Sequence, residues 1–246
     1  RYYKGQIEWA VQHAAHMLVI SQSTADDLQN LLHIAPEKMT IHLLGVNEQF
    51  KPLPAADVRA VTAHHKLPDT YILFVGTFEP RKNIAGLLNA YAILRAAVPD
   101  APPLVLVGRR GWLYQDMFAQ VDALHLADHV IWLEDAPFDD LPAIYNGAAA
   151  LVMPSFYEGF GLPALEAMAC GTPPIVSNRS SLPEVVGDAG LLIDPDQPSE
   201  LAEALRRVLQ DSDLHAQLRA QSLLRAATFT WRKTTESVLQ VYQNLL

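Results

Sequence analysis

The sequence predicts an α/β fold built on one doubly wound parallel sheet of about six strands, preceded by the end of another domain. Short apolar runs alternate with longer stretches whose apolar residues recur at helical spacing, a pattern typical of parallel strands joined by crossover helices. Hydrophobic residues make up 50% of the 246 residues, so the chain can bury a large core.

Six apolar runs between residues 71 and 194 are the predicted strands of this sheet. They read "YILFVG", "PLVLVG", "HVIWL", "AALVMP", "PPIVS" and "GLLID" along the chain. The stretch "NIAGLLNAYAILRAA" between the first two is predicted to be a helix, because its apolar residues recur at helical spacing. Such helices are expected to pack on the sheet, and ligands are expected at the carboxyl ends of the strands.

The segments outside this sheet differ in character. Within residues 1–50, "HMLVIS" and "MTIHLLG" read as two strands around a helix that begins at Ser23 or Thr24. Two strands do not make a domain, so we expect the chain to start inside one. Residues 51–68 are rich in proline and read as a linker with a short helix, and residues 69–230 form the predicted sheet domain.

Composition and charge limit the partners and sites that the chain can be expected to have. The formal charge of −9 and the pI of about 5.4 argue against nucleic acid as a partner. The single cysteine, Cys170, lies in an apolar run and is expected to pack as a small hydrophobic residue. Asp194 and Asp196 are interpreted as turn and cap residues, and no metal site is expected. We expect a soluble cytoplasmic protein, with peripheral membrane association left open.

The first candidate site is "FVGTFEPRKN", residues 74–83, at the end of the first strand of the sheet. Gly76 allows a sharp turn beside a ligand. Arg81 and Lys82 then fall at the start of the following helix, where backbone N–H groups and the helix dipole favour an anion. A diphosphate would suit that field, although an isolated Arg-Lys pair is more often a solvated loop.

The second and more specific candidate is "PSFYEGFGLPALEAMACGTPPIVS", residues 154–177. Glu158 precedes a Gly-Phe-Gly loop whose backbone N–H groups can approach a ligand closely. Pro163 suits the first turn of a helix, and Glu166 would lie one turn inside it. The two glutamates are expected to hold different parts of one extended ligand, a sugar at Glu158 and a ribose at Glu166, rather than to act as a glycosidase pair.

Both motifs resemble those of the group 1 type of retaining glycosyltransferases, which have the GT-B fold of two Rossmann-like domains. The resemblance rests on "EGFGLPALEAMACGTPPIVS" and "FVGTFEPRKN", and it extends over about 17–231. It implies that residues 1–50 end an acceptor-side N-terminal domain. It also implies that residues 231–246 form a closing helix that packs back toward that domain.

The resemblance also implies roles for individual residues. Lys82 and Arg81 match basic residues that hold the donor diphosphate and stabilise the leaving group, and Glu158 matches the glutamate beside the transferred sugar, so these three are the expected catalytic residues. Glu166 matches the ribose-binding glutamate, and the base is expected against the loop "LEDAPF". The remaining expected donor-binding residues are Gly76, Gly108, Gly159, Phe160, Gly161 and Leu162. Some relatives carry a further basic residue where this chain has Thr77.

The implied activity is transfer of a hexose, with retention, from a nucleoside-diphosphate sugar to a saccharide or lipid-linked acceptor in polysaccharide biosynthesis. GDP-mannose is the favoured donor, UDP- and ADP-sugars stay open, and neither a cofactor nor a metal is expected. Because the family takes acceptor groups from the N-terminal domain, we expect little turnover from this chain alone. The alternatives are a non-catalytic module that binds sugar nucleotides and a GT-B-fold epimerase or phosphorylase. Dinucleotide and P-loop enzymes are disfavoured because their glycine motifs are missing from the sequence.

Overall fold

The computed structural model describes residues 2–111 and 115–245, which form two compact units. The terminal unit consists of Arg1–Gly45 and Phe229–Leu246, and the central unit of Val46–Thr228. The strands are β1 (Met17–Val19), β2 (Met39–Ile41), β3 (Tyr71–Val75), β4 (Leu104–Val107), β5 (Val130–Leu133), β6 (Ala148–Met153), β7 (Pro174–Ser177) and β8 (Leu191–Ile193). The helices are α1 (Tyr2–His13), α2 (Gln22–Leu32), α3 (Ala55–His64), α4 (Ile84–Ala97), α5 (Gln115–Ala123), α6 (Leu141–Gly147), α7 (Leu162–Cys170), α8 (Leu182–Val186), α9 (Pro198–Gln210), α10 (Ser212–Ala226) and α11 (Trp231–Leu245).

The central unit is built on a parallel sheet, and in its described part the six strands follow the order β5-β4-β3-β6-β7-β8. The chain adds strands on one side of β3 and then crosses to the other side at β6. In register, Leu73 of β3 lies opposite Val105 of β4 and Leu151 of β6. This is the doubly wound topology predicted from the six apolar runs. In sheets of this type, ligands are expected between the carboxyl ends of the two strands where the order reverses, here β3 and β6.

Burial on both faces explains why the strands read as continuous apolar runs. Tyr71–Phe74 of β3 have no exposed surface, nor do Leu104–Leu106 of β4. The helix α4 packs against α9 and covers one face. Five apolar residues that recur at helical spacing in the predicted helix "NIAGLLNAYAILRAA" are buried in this core: Ile84, Leu87, Leu88, Tyr91 and Leu94.

The terminal unit contains a two-stranded parallel sheet in which β1 pairs with β2, and α2 connects them. The predicted start of this helix at Ser23 or Thr24 is wrong, because Ser21 is the N-cap. Its Oγ accepts a hydrogen bond from the backbone N–H of Thr24 at 3.1 Å. Ser21 has extended backbone angles, as expected where the chain leaves β1. Ser21, Ser23 and Thr24 are all residue types that can cap a helix, so the sequence alone did not distinguish them.

Residues 51–68 contain α3, a helix that packs against α6 within the central unit. The backbone N–H of Leu53 donates to Oδ1 of Asn146 at 3.0 Å, which ties the segment to α6 as well. Contacts of this kind give the segment a packed position on the sheet domain. The domain limits inferred from the sequence stay predictions. Across the described residues, no helix combines the length and apolar character needed to cross a membrane.

Candidate functional site

Two loops meet at the carboxyl edge of the sheet, one after β3 and one after β6. The backbone N–H of Phe156 in the second loop donates to the carbonyl oxygen of Arg81 in the first, at 2.9 Å. Because β3 and β6 are parallel neighbours, their loops emerge on the same edge of the sheet. Residues far apart in sequence, from 76–83 and 154–162, therefore form one site.

A compact charge cluster occupies this meeting point. Nζ of Lys82 lies 2.6 Å from Oε1 of Glu158, and a guanidinium nitrogen of Arg81 lies 3.1 Å from Oε2 of the same carboxylate. Lys82 and Glu158 are 9% and 6% exposed, so neither charge is solvated and each compensates the other. Arg81 also pairs with Glu79 and donates to the carbonyl of Tyr157. Burial acts against the charge of Arg81, but the carboxylates of Glu158 and Glu79 raise the pKa of its guanidinium.

The loop after β3 places these cations at the start of a helix. Gly76 follows β3 with a positive φ of 156°, and a short 3₁₀ turn covers Pro80–Lys82. Asn83 then adopts a left-handed conformation and caps α4, its Oδ1 accepting from the N–H of Gly86 at 3.1 Å. Its Nδ2 donates to the carbonyl oxygen of Pro195, beyond β8, at 2.8 Å. Lys82 thus directly precedes the helix cap, where the backbone already favours an anion.

The loop after β6 is held by two serines that the sequence analysis did not single out. Oγ of Ser180 accepts from the backbone N–H of Glu158 at 2.8 Å. Oγ of Ser181 lies 2.9 Å from the carbonyl oxygens of both Glu158 and Phe160, to which it donates. The available signal was their position, since they follow β7 and so come to the same sheet edge.

Gly159, Phe160 and Gly161 lead from Glu158 into α7. Gly161 is the N-cap residue of α7 with a φ of 105°, and it is followed by Leu162 and Pro163 in the first turn. The carbonyl oxygen of Gly161 accepts from the N–H of Ala164 at 3.0 Å, so the helix hydrogen bonds begin there. Phe160 is 3% exposed and anchors the loop. Pro163 has no N–H group and Ala164 already donates to Gly161, so the backbone N–H of Leu162 is the group of this first turn that is suited to an anion or hydroxyl.

Glu166 lies further along α7 and makes a different contact from Glu158. Its Oε2 accepts a hydrogen bond from the hydroxyl of Tyr145 at 2.7 Å. Burial raises the pKa of Glu166, and the Tyr145 hydrogen bond acts in the opposite direction. The two glutamates therefore belong to separate contacts, one with cations and one with a neutral donor.

The strand ends that carry Gly76 and Gly108 approach each other closely. The N–H of Gly76 donates to the carbonyl of Val107 at 2.9 Å, and a Cβ added to Gly108 would lie 1.9 Å from the carbonyl oxygen of Gly76. This contact explains the glycine at 108. The role of Gly108 on the nucleotide side stays a prediction. In the neighbouring loop "LEDAPF", Glu134 pairs with Arg110 at 2.7 Å.

Asp194 and Asp196 are engaged by one arginine. A guanidinium nitrogen of Arg179 lies 2.9 Å from Oδ1 of Asp194 and also contacts Asp196. The N–H of Asp196 donates to Oδ1 of Asp194 at 3.0 Å, which is ordinary turn chemistry. Within 2–111 and 115–245, no group of three or more His, Cys, Asp or Glu residues is arranged to hold a metal ion.

Comparison with known proteins gives relatives over the whole chain. "O-antigen chain mannosyltransferase B" of Escherichia coli is 35% identical over 246 residues, which are 100% of this chain and 65% of the relative. "Serotype-specific mannosyltransferase WbdA" of the same organism is 32% identical over 96% of this chain and 29% of its own length. The chain therefore spans less than two thirds of the length of these relatives.

Solved structures agree with the fold. Sucrose-phosphate synthase from Thermosynechococcus elongatus superposes with a TM-score of 0.84 at 29% identity, over 97% of this chain and 60% of the other. The Anabaena protein Alr3699/HepE in complex with UDP-glucose gives 0.84 at 20% identity, over 96% of this chain and 65% of the other. The expected GT-B fold class is thereby confirmed.

The family described as "Glycosyl transferases group 1" matches residues 61–224. That range contains both site loops, the charge cluster and the Tyr145–Glu166 contact. On this match, which covers well over half of its residues, the chain belongs to the group 1 glycosyl transferases.

Proposed function

We propose that the protein transfers a hexose, mannose in the favoured case, from a nucleoside-diphosphate sugar to a saccharide or lipid-linked acceptor with retention of configuration. This chain supplies the donor site. Family membership and relatives named as mannosyltransferases support the reaction class and the sugar. A relative named for O-antigen chains supports a setting in cell-surface polysaccharide synthesis.

The observation that carries the proposal is the ion-pair cluster beside the start of α4, in which Lys82 and Glu158 are buried and Arg81 is partly exposed. Two cations held next to a helix N-terminus form a field that a diphosphate fits. The Glu158 carboxylate holds both cations in place, so they need little rearrangement when the donor binds. Preorganised charges of this kind stabilise a leaving group without a reorganisation cost.

The proposed reaction takes place on one face of the sugar. The acceptor hydroxyl attacks the anomeric carbon from the side on which the nucleotide leaves, through an oxocarbenium-like state. The bond to the diphosphate breaks as the new glycosidic bond forms, and the departing phosphate oxygen takes the hydroxyl proton. Lys82 and Arg81 stabilise the negative charge on the diphosphate, while Glu158 positions the sugar and stabilises developing positive charge.

The rest of the donor is assigned by position. The backbone of residues 159–162 contacts the sugar and phosphate, and the Glu166 carboxylate accepts hydrogen bonds from the ribose hydroxyls. The proposed scheme assigns the diphosphate to Lys82, Arg81 and the start of α4 and includes no metal. GDP is the favoured nucleotide, and a solved structure with the same fold was determined with UDP-glucose, so both are included in the tests.

Calorimetric titration of this chain with GDP, UDP, ADP and GDP-mannose, without metal, tests the donor site. Lys82→Met keeps most of the buried stem and removes the charge, and we expect it to weaken nucleoside-diphosphate binding by roughly 10-fold to 100-fold, as for a lost charge-assisted hydrogen bond. Lys51→Met is the matched control, because that lysine is exposed. Equal affinities for the wild type and Lys82→Met would remove the diphosphate role of the cluster.

Replacement of Glu158 by Gln tests the catalytic step in the full-length protein. We expect GDP-mannose binding to persist and turnover to fall by about two orders of magnitude, because an amide cannot offset developing positive charge. Product analysis by NMR reports the anomeric configuration, and retention is expected. Binding without any transfer by the wild type, over a range of saccharide acceptors, would instead favour a non-catalytic module.

A further inference from the structure

The contact between Tyr145 and Glu166 joins α6 to α7 next to the donor site. The Tyr145 hydroxyl donates to Oε2 of Glu166 at 2.7 Å, and Tyr145 has no exposed surface. Glu166 is only partly buried. A buried phenol that donates to a partly exposed carboxylate orients that carboxylate, because the buried ring cannot turn away from it.

Tyr145 is itself fixed from two sides. The ring of Phe50 packs edge-on against it with a centroid distance of 5.7 Å. The hydroxyl of Thr172 donates to the backbone carbonyl oxygen of Tyr145 at 2.6 Å in a buried position. The donor atom therefore sits on a rigid support, as a preorganised binding residue requires.

The second oxygen of Glu166 is left for a ligand. In the part of the chain that the structure describes, Oε1 of Glu166 has no protein hydrogen-bond partner, whereas Oε2 has Tyr145. A carboxylate held through one oxygen presents the other in a defined direction and can accept from hydroxyl groups there. Burial raises the pKa of Glu166, and the hydrogen bond from Tyr145 lowers it. The Tyr145 contact therefore also favours the ionised carboxylate, which is the form that accepts hydrogen bonds through both oxygens.

We propose that Tyr145 is a positioning residue for the donor, which aims the Glu166 carboxylate at the ribose hydroxyls and so sets the affinity for the nucleotide. This inference rests on the proposed function, because it assigns Glu166 to the ribose. It adds a residue from α6 that touches no substrate. Loss of the phenol oxygen alone leaves Glu166 in place but free to rotate, so the affinity for the ribose hydroxyls should fall.

The test compares GDP with 2′,3′-dideoxy-GDP, and UDP with its dideoxy form, by calorimetry. We expect the wild type to bind GDP at least about 10-fold more tightly than dideoxy-GDP, since hydrogen bonds to a charged acceptor are lost. Tyr145→Phe should reduce that ratio by about threefold to 10-fold and leave the affinity for dideoxy-GDP unchanged. A merely structural role would weaken both ligands equally.

Tyr71→Phe is the matched control. The Tyr71 hydroxyl is also fully buried and donates to a backbone carbonyl of α6, that of Ile144, at 2.6 Å. The substitution removes the same atom from the same kind of site without touching Glu166, so the ribose preference should stay at the wild-type value. Thr172→Val provides a second route, because it loosens the support of Tyr145 and should lower the preference less than Tyr145→Phe.

A double-mutant cycle links Tyr145 to Glu166 directly. In a Glu166→Ala background, which removes the acceptor, Tyr145→Phe should cause little further loss of ribose preference. In the full-length enzyme Tyr145→Phe should raise KM more than it lowers kcat. A wild type that does not distinguish GDP from dideoxy-GDP, nor UDP from its dideoxy form, would overturn the ribose role of Glu166 in the proposed function. A discriminating wild type whose preference survives in both Tyr145→Phe and Thr172→Val would overturn the role of Tyr145 alone.

Discussion

At the scale of single residues, the neighbours of a charged group decide what it can do. Glu158 faces Lys82 and Arg81 and is held between two cations. Glu166 faces the Tyr145 phenol, and burial raises its pKa. Two glutamates separated by one short loop and one helical turn thus have opposite electrostatic settings, which suits one to a site of developing charge and the other to neutral hydroxyls.

The raised pKa of Glu166 predicts a pH-dependent effect of Glu166→Gln on stability. The folded-state pKa lies above the unfolded value, so the carboxyl favours folding most at low pH, and this contribution is lost as pH rises through the folded pKa. Glutamine is neutral at every pH and can still accept from Tyr145. We therefore expect Glu166→Gln to raise the free energy of unfolding relative to wild type above this window.

Urea unfolding of both proteins at pH 4 and pH 7.5, flanking the ordinary glutamate pKa, measures this difference. The free energy of unfolding of Glu166→Gln should exceed that of the wild type by more at pH 7.5 than at pH 4. A gain that is independent of pH would mean that Glu166 is not destabilised by its charge. Arg206 and Glu203, an exposed pair on α9, provide the reference, since Glu203→Gln should show no gain at the higher pH.

At the scale of elements, the strand ends set how closely backbones can approach at the site. Gly76 and Gly108 directly follow β3 and β4 and have nearly equal φ values of 156° and 153°. Their surroundings differ, because a Cβ at 108 meets a backbone carbonyl at 1.9 Å and a Cβ at 76 meets the ring of Phe74 at 3.4 Å. The Phe74 ring can move slightly to accommodate a methyl group at position 76, whereas the Gly76 carbonyl is fixed by the backbone of the strand end.

The different neighbours of Gly76 and Gly108 predict that alanine destabilises the fold by different amounts at the two positions. Gly108→Ala should lower the free energy of unfolding by about 3 kcal/mol or more, and Gly76→Ala by about 1 kcal/mol, since both share the φ penalty and only the first adds a backbone clash. Chemical denaturation of the two variants gives the comparison. Equal losses would show that the φ angle, rather than the contact between the strand ends, requires glycine at both positions.

Elements also show where local patterns reach their limit. The six strands of the central sheet were predicted from their apolar runs, because a strand buried on both faces leaves a continuous signature. The start of α2 was misplaced because Ser21, Ser23 and Thr24 can all cap a helix, and the choice depends on where β1 releases the chain. Boundaries of this kind follow from pairing with β2, which the local sequence does not report.

At the scale of the whole molecule, the two ends of the chain form one unit. Residues Phe229–Leu246 group with Arg1–Gly45, and the hydroxyl of Thr234 on α11 donates to the carbonyl oxygen of Leu43 at 2.7 Å. A Cβ on Gly45 would lie 2.1 Å from the backbone nitrogen of Trp231, so α11 packs directly on that segment. The closing helix thus contributes to a core that begins at the other terminus.

This contact predicts that Thr234→Ala destabilises the terminal unit and Thr235→Ala does not. Thr235 is exposed and its hydroxyl donates to the carbonyl of Trp231 in its own helix, so its loss should cost a few tenths of a kcal/mol. Thr234→Ala should cost about 1 kcal/mol, because it leaves the Leu43 carbonyl without that donor. Hydrogen exchange of β1, β2 and α11 measures the local effect, and similar exchange in both variants would contradict the prediction.

The sequence by itself determined the strands, several of the helices and the two motifs, because apolar periodicity and glycine turns are local properties. It also indicated that Lys82 and Glu158 belong to a ligand site. Only the tertiary structure brought these two residues, 76 positions apart, into an ion pair, and only it set Ser180, Ser181 and Tyr145 behind the site glutamates. Such contacts depend on the order β5-β4-β3-β6-β7-β8, which chain packing decides and no single segment encodes.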